Sequence, residues 1–390
     1  MTVQWLQRSA GARTLVLSLR RALNSPSRAS NVELEDLLLR LDRVDLLELR
    51  GPPAPPLWQR IVGRVGRASP ATWPYLAPAH TPPPGEWELL FLTCQSPTDL
   101  YMLGSLRPWR ERCRVCVVWI DELWAHSVPD RPLEMELLSE FDHVWLGCHG
   151  SIPAVKRATG RPVSYGAPAV DALRFCPWPD RPTRWIDVYN MGRRSAVTHQ
   201  ALLELAARRG LFYLHDSLTG PELRVHDMRE HRTLLMRLLQ RTRFFVTNRA
   251  KLDVPGETQA QEEVGFRFFE GAAGGAVLIG DPPRCHPFHS HFGWEDAVIP
   301  LPIDARQEVG QVLAAIASDP AREETIRRRN VANVLARHDW AHRWSDVLKV
   351  AGLAPLPALE ERHTRLRERA AELLPGLAKA RGTVLTGSEG

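Results

Sequence analysis

Short apolar runs recur along the chain, each followed by a polar turn and a stretch with helical spacing. In the first half they fall at residues 14–19, 44–49, 87–93, 115–120 and 144–146. In the second half they fall at 185–189, 211–214, 244–247, 276–279 and 297–301. Runs this short and this continuously apolar fit strands buried on both faces, the pattern of a parallel sheet covered by helices on each side. Strand and helix patterns alternate through the whole chain, which predicts the α/β class. The rhythm breaks at "RFCPWPDRPTRW" (174–185), whose closely spaced prolines can continue neither a helix nor a central strand, and it restarts directly afterwards. The expected organisation is therefore two doubly wound domains, 1–183 and 184–345, and a helical tail, 346–390. Proline-rich segments at 51–56 and 77–85 read as surface loops of the first domain, and the residues past Lys379 as a frayed end.

A length of 390 residues is enough for two separate cores. No apolar run approaches the roughly 20 residues a membrane helix needs. The N-terminal segment has no uninterrupted signal-type core, so the expectation is mature sequence in the cytoplasm. The net charge of +5 is spread along the chain, with a pI near 9.0. That balance favours anionic small ligands or a membrane surface, and the basic N-terminal segment leaves peripheral membrane contact open. Without a basic stripe interleaved with aromatics, no nucleic-acid partner is expected. The pattern carries no signal for oligomeric state. Cys113 and Cys116 form a C-x-x-C without a second pair at zinc spacing, inside the apolar run "CRVCVVWI", and read as buried thiols. His286, His289 and His291 cluster without a carboxylate to complete a ligand set, and no metal site is expected.

The densest chemistry lies in "QAQEEVGFRFFEGAAGGAVLIGDPP", residues 259–283. In an open α/β sheet ligands bind outside the carboxyl ends of the strands. A helix starting there presents free backbone N–H groups and the positive end of its dipole, which suits a phosphate. Gly265 would let backbone approach a ligand at such a helix start, and Glu270 could accept hydrogen bonds from paired hydroxyls. The small residues 271–275 would permit close packing before the next strand. The plainer reading is an ordinary helix whose Glu270 pairs with Arg267 one turn earlier, with Glu263 solvated or capping.

Glu262 and Glu270 stand with seven residues between them and Gly265 three after the first. This resembles the E-x7-E pattern of group-1 glycosyltransferases with the GT-B fold, especially the spore-coat-type branch. The stretches "NMGRRSAVTHQALLELA", "NRAKLDVPGETQAQEE" and "RNVANVLARHDWAHRWSDVL" agree with it, so the resemblance spans most of 140–353. The first domain matches in outline only. The resemblance implies a GT-B architecture: two Rossmann-like domains facing each other across a cleft, the first for the acceptor, the second for a sugar nucleotide, with closing C-terminal helices. It implies that Glu270 binds the ribose, that Glu262 faces the sugar at the reacting centre, and that the backbone at Val264 and Gly265 meets the diphosphate. Gly192 would allow close approach after the first strand of the second domain. Arg193, Arg249, Lys251 and Arg267 would neutralise the leaving group, with neither metal nor other cofactor.

An acceptor hydroxyl needs a base, and "VVWIDELWAH" delivers Asp121 and His126 to the end of a buried strand. His149 and Asp99 occupy comparable strand ends. Each could instead cap a turn or sit in a surface loop. The implied activity is metal-independent transfer of a sugar from a nucleoside diphosphate to an acceptor hydroxyl on a glycan, lipid or secondary metabolite. Two other readings keep the same site: a sugar-nucleotide epimerase, and a binding protein without catalysis.

Overall fold

A computed structural model describes residues 2–20, 25–50, 85–106, 109–216 and 224–375. The proline-rich segments expected at 51–56 and 77–85, but for Gly85, and the end past Lys379 lie outside the described residues. The chain divides into two compact units, each assembled from separate stretches. The first takes Met1–Ala167, Glu222–His231 and Trp344–Leu356; the second takes Pro168–Pro221, Arg232–Arg343 and Pro357–Gly390.

The sheet of the first unit comprises β1 (Thr2–Gln7), β2 (Thr14–Ser18), β3 (Val44–Arg50), β4 (Trp87–Cys94), β5 (Cys113–Ile120), β6 (His143–Leu146) and β7 (Val163–Tyr165). Their order is β1-β3-β2-β4-β5-β6-β7, and every pairing is parallel except β1 with β3. Helices α1 (Ala29–Leu41), α2 (Pro132–Ser139) and α3 (Ile152–Thr159) belong to this unit. All five residues of β2 are buried, as two-sided cover by helices requires. Leu17, Leu92, Val118 and Leu138 meet in the core. Cys113 and Cys116 lie on β5, buried and unpaired, in agreement with the thiol reading.

The second unit carries β8 (Ile186–Asn190), β9 (Tyr213–His215), β10 (Thr242–Val246), β11 (Val277–Gly280) and β12 (Ile299–Pro300), in the order β12-β11-β10-β8-β9 and parallel throughout. Its helices run in chain order as α4 (Ala172–Phe175), α5 (Ala196–Arg209), α6 (Met228–Gln240), α7 (Pro255–Thr258), α8 (Phe266–Ala273), α9 (His286–Phe292), α10 (Glu308–Ala317), α11 (Pro320–Arg337), α12 (Trp340–Ala351) and α13 (Pro357–Leu373), with the first residues of α6 and the last of α12 assigned to the first unit. Val188, Phe244, Val277 and Ile326 fill the core between sheet and helices. The fold is α/β, and each of the ten apolar runs overlaps a strand, 211–214 and 297–301 in two residues each. Among the described residues no helix is long and apolar enough to cross a membrane.

Candidate functional site

The strand order of the second unit has a switch point between β8 and β10. From β8 the chain winds to β9 on one side and to β10 on the other, so the connections leaving β8 and β10 diverge at their carboxyl ends. Gly192 and Arg193 follow β8, while Arg249 and Lys251 follow β10. Gly192 has φ +80°, a conformation side chains disfavour, and its N–H donates to Asp216 Oδ2 at 2.6 Å. Arg193 pairs with Asp253 at 2.9 Å, and Lys251 with Glu257 at 2.8 Å.

Backbone and side chains lace the neighbouring loops to this edge. Arg249 donates its N–H to the Asp281 carbonyl at 2.9 Å and its guanidinium to the Asp281 carboxylate. Asn248 Oδ1 accepts from the Asp281 N–H, and the Ala250 N–H donates to the Glu263 carbonyl. Glu262 accepts from the Arg284 N–H at 2.6 Å, with Arg249 Nε 3.7 Å from its other oxygen. Three cations and Glu262 thus reach one sheet edge, each cation matched to a carboxylate. Val264 is buried and anchors the turn into α8, and Gly265 is that helix's N-cap. A side chain at Gly265 would meet nothing within 4 Å, so the space beside the first-turn N–H groups is open.

One turn further on, Glu270 is 2% exposed, and one carboxylate oxygen accepts from Arg232 while the other accepts from Arg267. Burial penalises its charge, but Arg267 and Arg232 outweigh that and hold the carboxyl below its ordinary range. Arg267 keeps a third of its surface exposed and covers the carboxylate. The small residues after Glu270 are there for packing. A Cβ at Gly271 would collide with Phe245 and Leu278, and one at Gly274 would come within 2.7 Å of Leu239.

In the first unit Asp121 follows β5 and is buried, accepting from Asn31 Nδ2 at 2.9 Å and Trp119 Nε1 at 3.2 Å. Burial dominates these bonds and pushes its carboxyl up to about 7. His126 lies in the short 3-10 turn Ala125–Ser127, half-buried, and its Nδ1 is buried with no hydrogen-bond partner. Asp99 is committed to a buried pair with Arg28 at 2.6 Å and to the Gln95 N–H at 2.7 Å. His149 packs edge-on against Tyr165.

Residues 165–349 match the family model described as glycosyl transferase-like. The fold aligns with HepE of Anabaena, solved in complex with UDP and glucose, at a TM-score of 0.53 and 13% identity, covering 86% of this chain and 99% of that one. It also aligns with an alpha,alpha-trehalose-phosphate synthase (UDP-forming) from Burkholderia vietnamiensis at a TM-score of 0.53 and 12% identity, covering 88% and 100%. A sucrose-phosphate synthase from Thermosynechococcus elongatus aligns at 0.51 and 11%, covering 87% and 98%. The chain shares its fold with these GT-B glycosyltransferases. A comparison with curated protein sequences gives no match.

Three residues of the two units carry no mark in the sequence pattern that singled out the others. Arg232 is 3% exposed, stands over the Phe175 ring at 5.0 Å and holds Glu270. Its signal was available: on α6 it shares the apolar face of Met228, Leu235, Met236 and Leu239, where an arginine requires a buried anion. Asp281 and Asn31 gave weaker signals, one carboxylate after a strand and one amide in a helix. The histidines His286, His289 and His291 fall on α9. Burial lowers His291 to about 3, and its carbonyl accepts from His338 Nε2. Among the described residues no group of three or more His, Cys, Asp or Glu side chains is placed to hold a metal ion.

Proposed function

We propose that the protein transfers a sugar from a nucleoside diphosphate, with UDP as its carrier, to an acceptor hydroxyl, and that arginine and lysine side chains rather than a metal neutralise the departing diphosphate. The observation that carries this reading is the convergence of Arg193, Arg249, Lys251 and the open first turn of α8 at the switch point of the second sheet. The donor named in the HepE complex supports the choice of UDP. The diphosphate seats on the N–H groups following Val264 and Gly265 and draws Arg249 and Arg193 from their carboxylates, so charge is exchanged rather than exposed. Glu262, fixed by the Arg284 N–H, takes the sugar hydroxyls at the reacting centre. Glu270 takes the ribose hydroxyls once Arg267 swings aside, because in the present state that arginine covers it.

On the acceptor side, Asp121 or His126 removes the acceptor proton, and two features support those roles. Burial brings the Asp121 carboxyl to about 7, in the range of a working base, and His126 keeps an unused ring nitrogen. A cytoplasmic setting fits six unpaired cysteines, five of them buried.

The test is thermal stabilisation by a panel of nucleoside diphosphates and sugar nucleotides, with and without chelator, on the wild type and on Arg249→Ala. UDP-linked ligands should raise the melting temperature regardless of chelator. Arg249→Ala should weaken binding roughly 10- to 100-fold, the loss of one charge-assisted hydrogen bond. No shift with any nucleotide at millimolar concentration would end the proposal.

A further inference from the structure

The opposite, amino-terminal edge of the second sheet carries a site that sugar transfer does not use. Residues 177–184 lead into β8 and, with α11, enclose an open cavity of about 420 Å³. Pro177, Trp178, Arg181, Arg184, Arg327 and Arg328 line it together with Glu324. The volume falls within the range of small-molecule sites. Gly275, at φ +69°, lets the chain pass under its wall, where a Cβ would come within 2.8 Å of Arg184 Nη2.

Charge in this cavity is not balanced. Arg181 and Arg328 share a single oxygen of Glu324, at 2.9 and 2.8 Å. Arg327 must share Glu323 with Arg243. Arg184 spends its hydrogen bonds on three backbone carbonyls, those of Leu239, Thr242 and Gly274. Four guanidiniums therefore face two carboxylates. Burial, and after it the neighbouring Arg327, push Arg184 down to about 9. Two donors in the walls, Trp178 Nε1 and Arg327 Nε, are buried and have no acceptor. Buried donors are almost always satisfied, so two orphans beside an excess of positive charge mark a place for an oxyanion.

We propose that this cavity binds a phosphate-bearing anion. The phosphate oxygens accept from the exposed guanidiniums of Arg181 and Arg328 and, once those side chains turn toward it, from the buried Trp178 Nε1 and Arg327 Nε, and its charge offsets the unmatched arginines. The same chemistry is offered by a soluble phosphate ester and by a phospholipid headgroup, and the proposal does not depend on what the donor edge binds.

The test uses the full chain in two assays: isothermal titration with inorganic pyrophosphate, and flotation with phosphatidylcholine vesicles with and without phosphatidic acid. Two variants report on the cavity. Trp178→Phe keeps the ring and removes one orphan N–H, and Arg181→Gln/Arg328→Gln removes two exposed charges. Each should weaken the cavity's binding event roughly tenfold or more, while Trp178→Phe melts no lower than wild type. Pyrophosphate binding that responds to both variants, without flotation, identifies a soluble ligand. Flotation that depends on phosphatidic acid and is lost in both variants identifies a headgroup. If neither assay changes in either variant, any pyrophosphate bound sits elsewhere and the proposal falls.

Discussion

Replacing Arg232 by Met tests how Glu270 is held. The side chains of Arg232 and Glu270 are 4% and 2% exposed, so solvent screens their pairing very little. Removing one partner of such a pair leaves a buried charge, typically at a cost of about 3–5 kcal/mol. Glu270 retains Arg267, which puts the expected loss near the lower end, about 3 kcal/mol. For a unit of this size each kcal/mol moves the midpoint by roughly 2–4 °C, so the transition should fall by roughly 6–12 °C in calorimetry. The double variant Arg232→Met/Glu270→Gln removes the stranded charge as well. It should be more stable than the sum of the single losses by about 1–3 kcal/mol. The pH dependence has a fixed sign. The Glu270 carboxyl is depressed in the fold, so its contribution is present above 4.5 and is lost as pH falls through the folded value. In Arg232→Met that loss should begin at higher pH. A shift under about 2 °C in the single variant, or additivity in the double, would refute the pairing as the reason Glu270 stays ionised in the core.

Two further predictions concern the sheet edges. Asp121 has the opposite linkage: its folded carboxyl is raised to about 7 from 3.8, so ionising it opposes folding and stability is lost as pH rises between those values. The melting temperature of wild type relative to Asp121→Asn should therefore decline from pH 4 to pH 7 and then level off, and a flat difference across that range would count against the burial argument. At Gly280, φ is +151° and a Cβ would collide with the Thr247 carbonyl. Gly280→Ala should cost about 3 kcal/mol or more, read as a fall of roughly 6 °C or more in the melt, and an unchanged melt would mean the β11 turn can relax.

Much of the fold was legible because buried parallel strands leave a mark in sequence. A run such as 87–93 is apolar at nearly every position since both faces meet helices. The two strands that escaped notice have other environments. β1, "TVQWLQ", is an antiparallel edge strand with alternating polarity, and β7 is three half-buried residues at the opposite edge. At the site, the spacing of Glu262, Gly265 and Glu270 was visible because it is local. Their partners are not local: Arg232 lies 38 residues before Glu270, and Asp281 lies 32 after Arg249. Periodicity cannot show which side chain a carboxylate meets across a core, though an arginine on an apolar helix face at least shows that some anion must be near.

The assembly of the first unit from three stretches of chain has a consequence for how the protein is made. Trp344 is 1% exposed, lies edge-on to Phe91 at 5.4 Å and donates to Asp42 at 3.0 Å. Arg13, paired with the same Asp42, donates to the Ala354 carbonyl, and Arg114 donates to that of Ala351. The strands of residues 14–18 and 87–94 therefore wait for residues 344–356 before their core is complete. Until then the sheet is an open, apolar surface in need of protection. Neither unit corresponds to a piece that one cut in the gene would release.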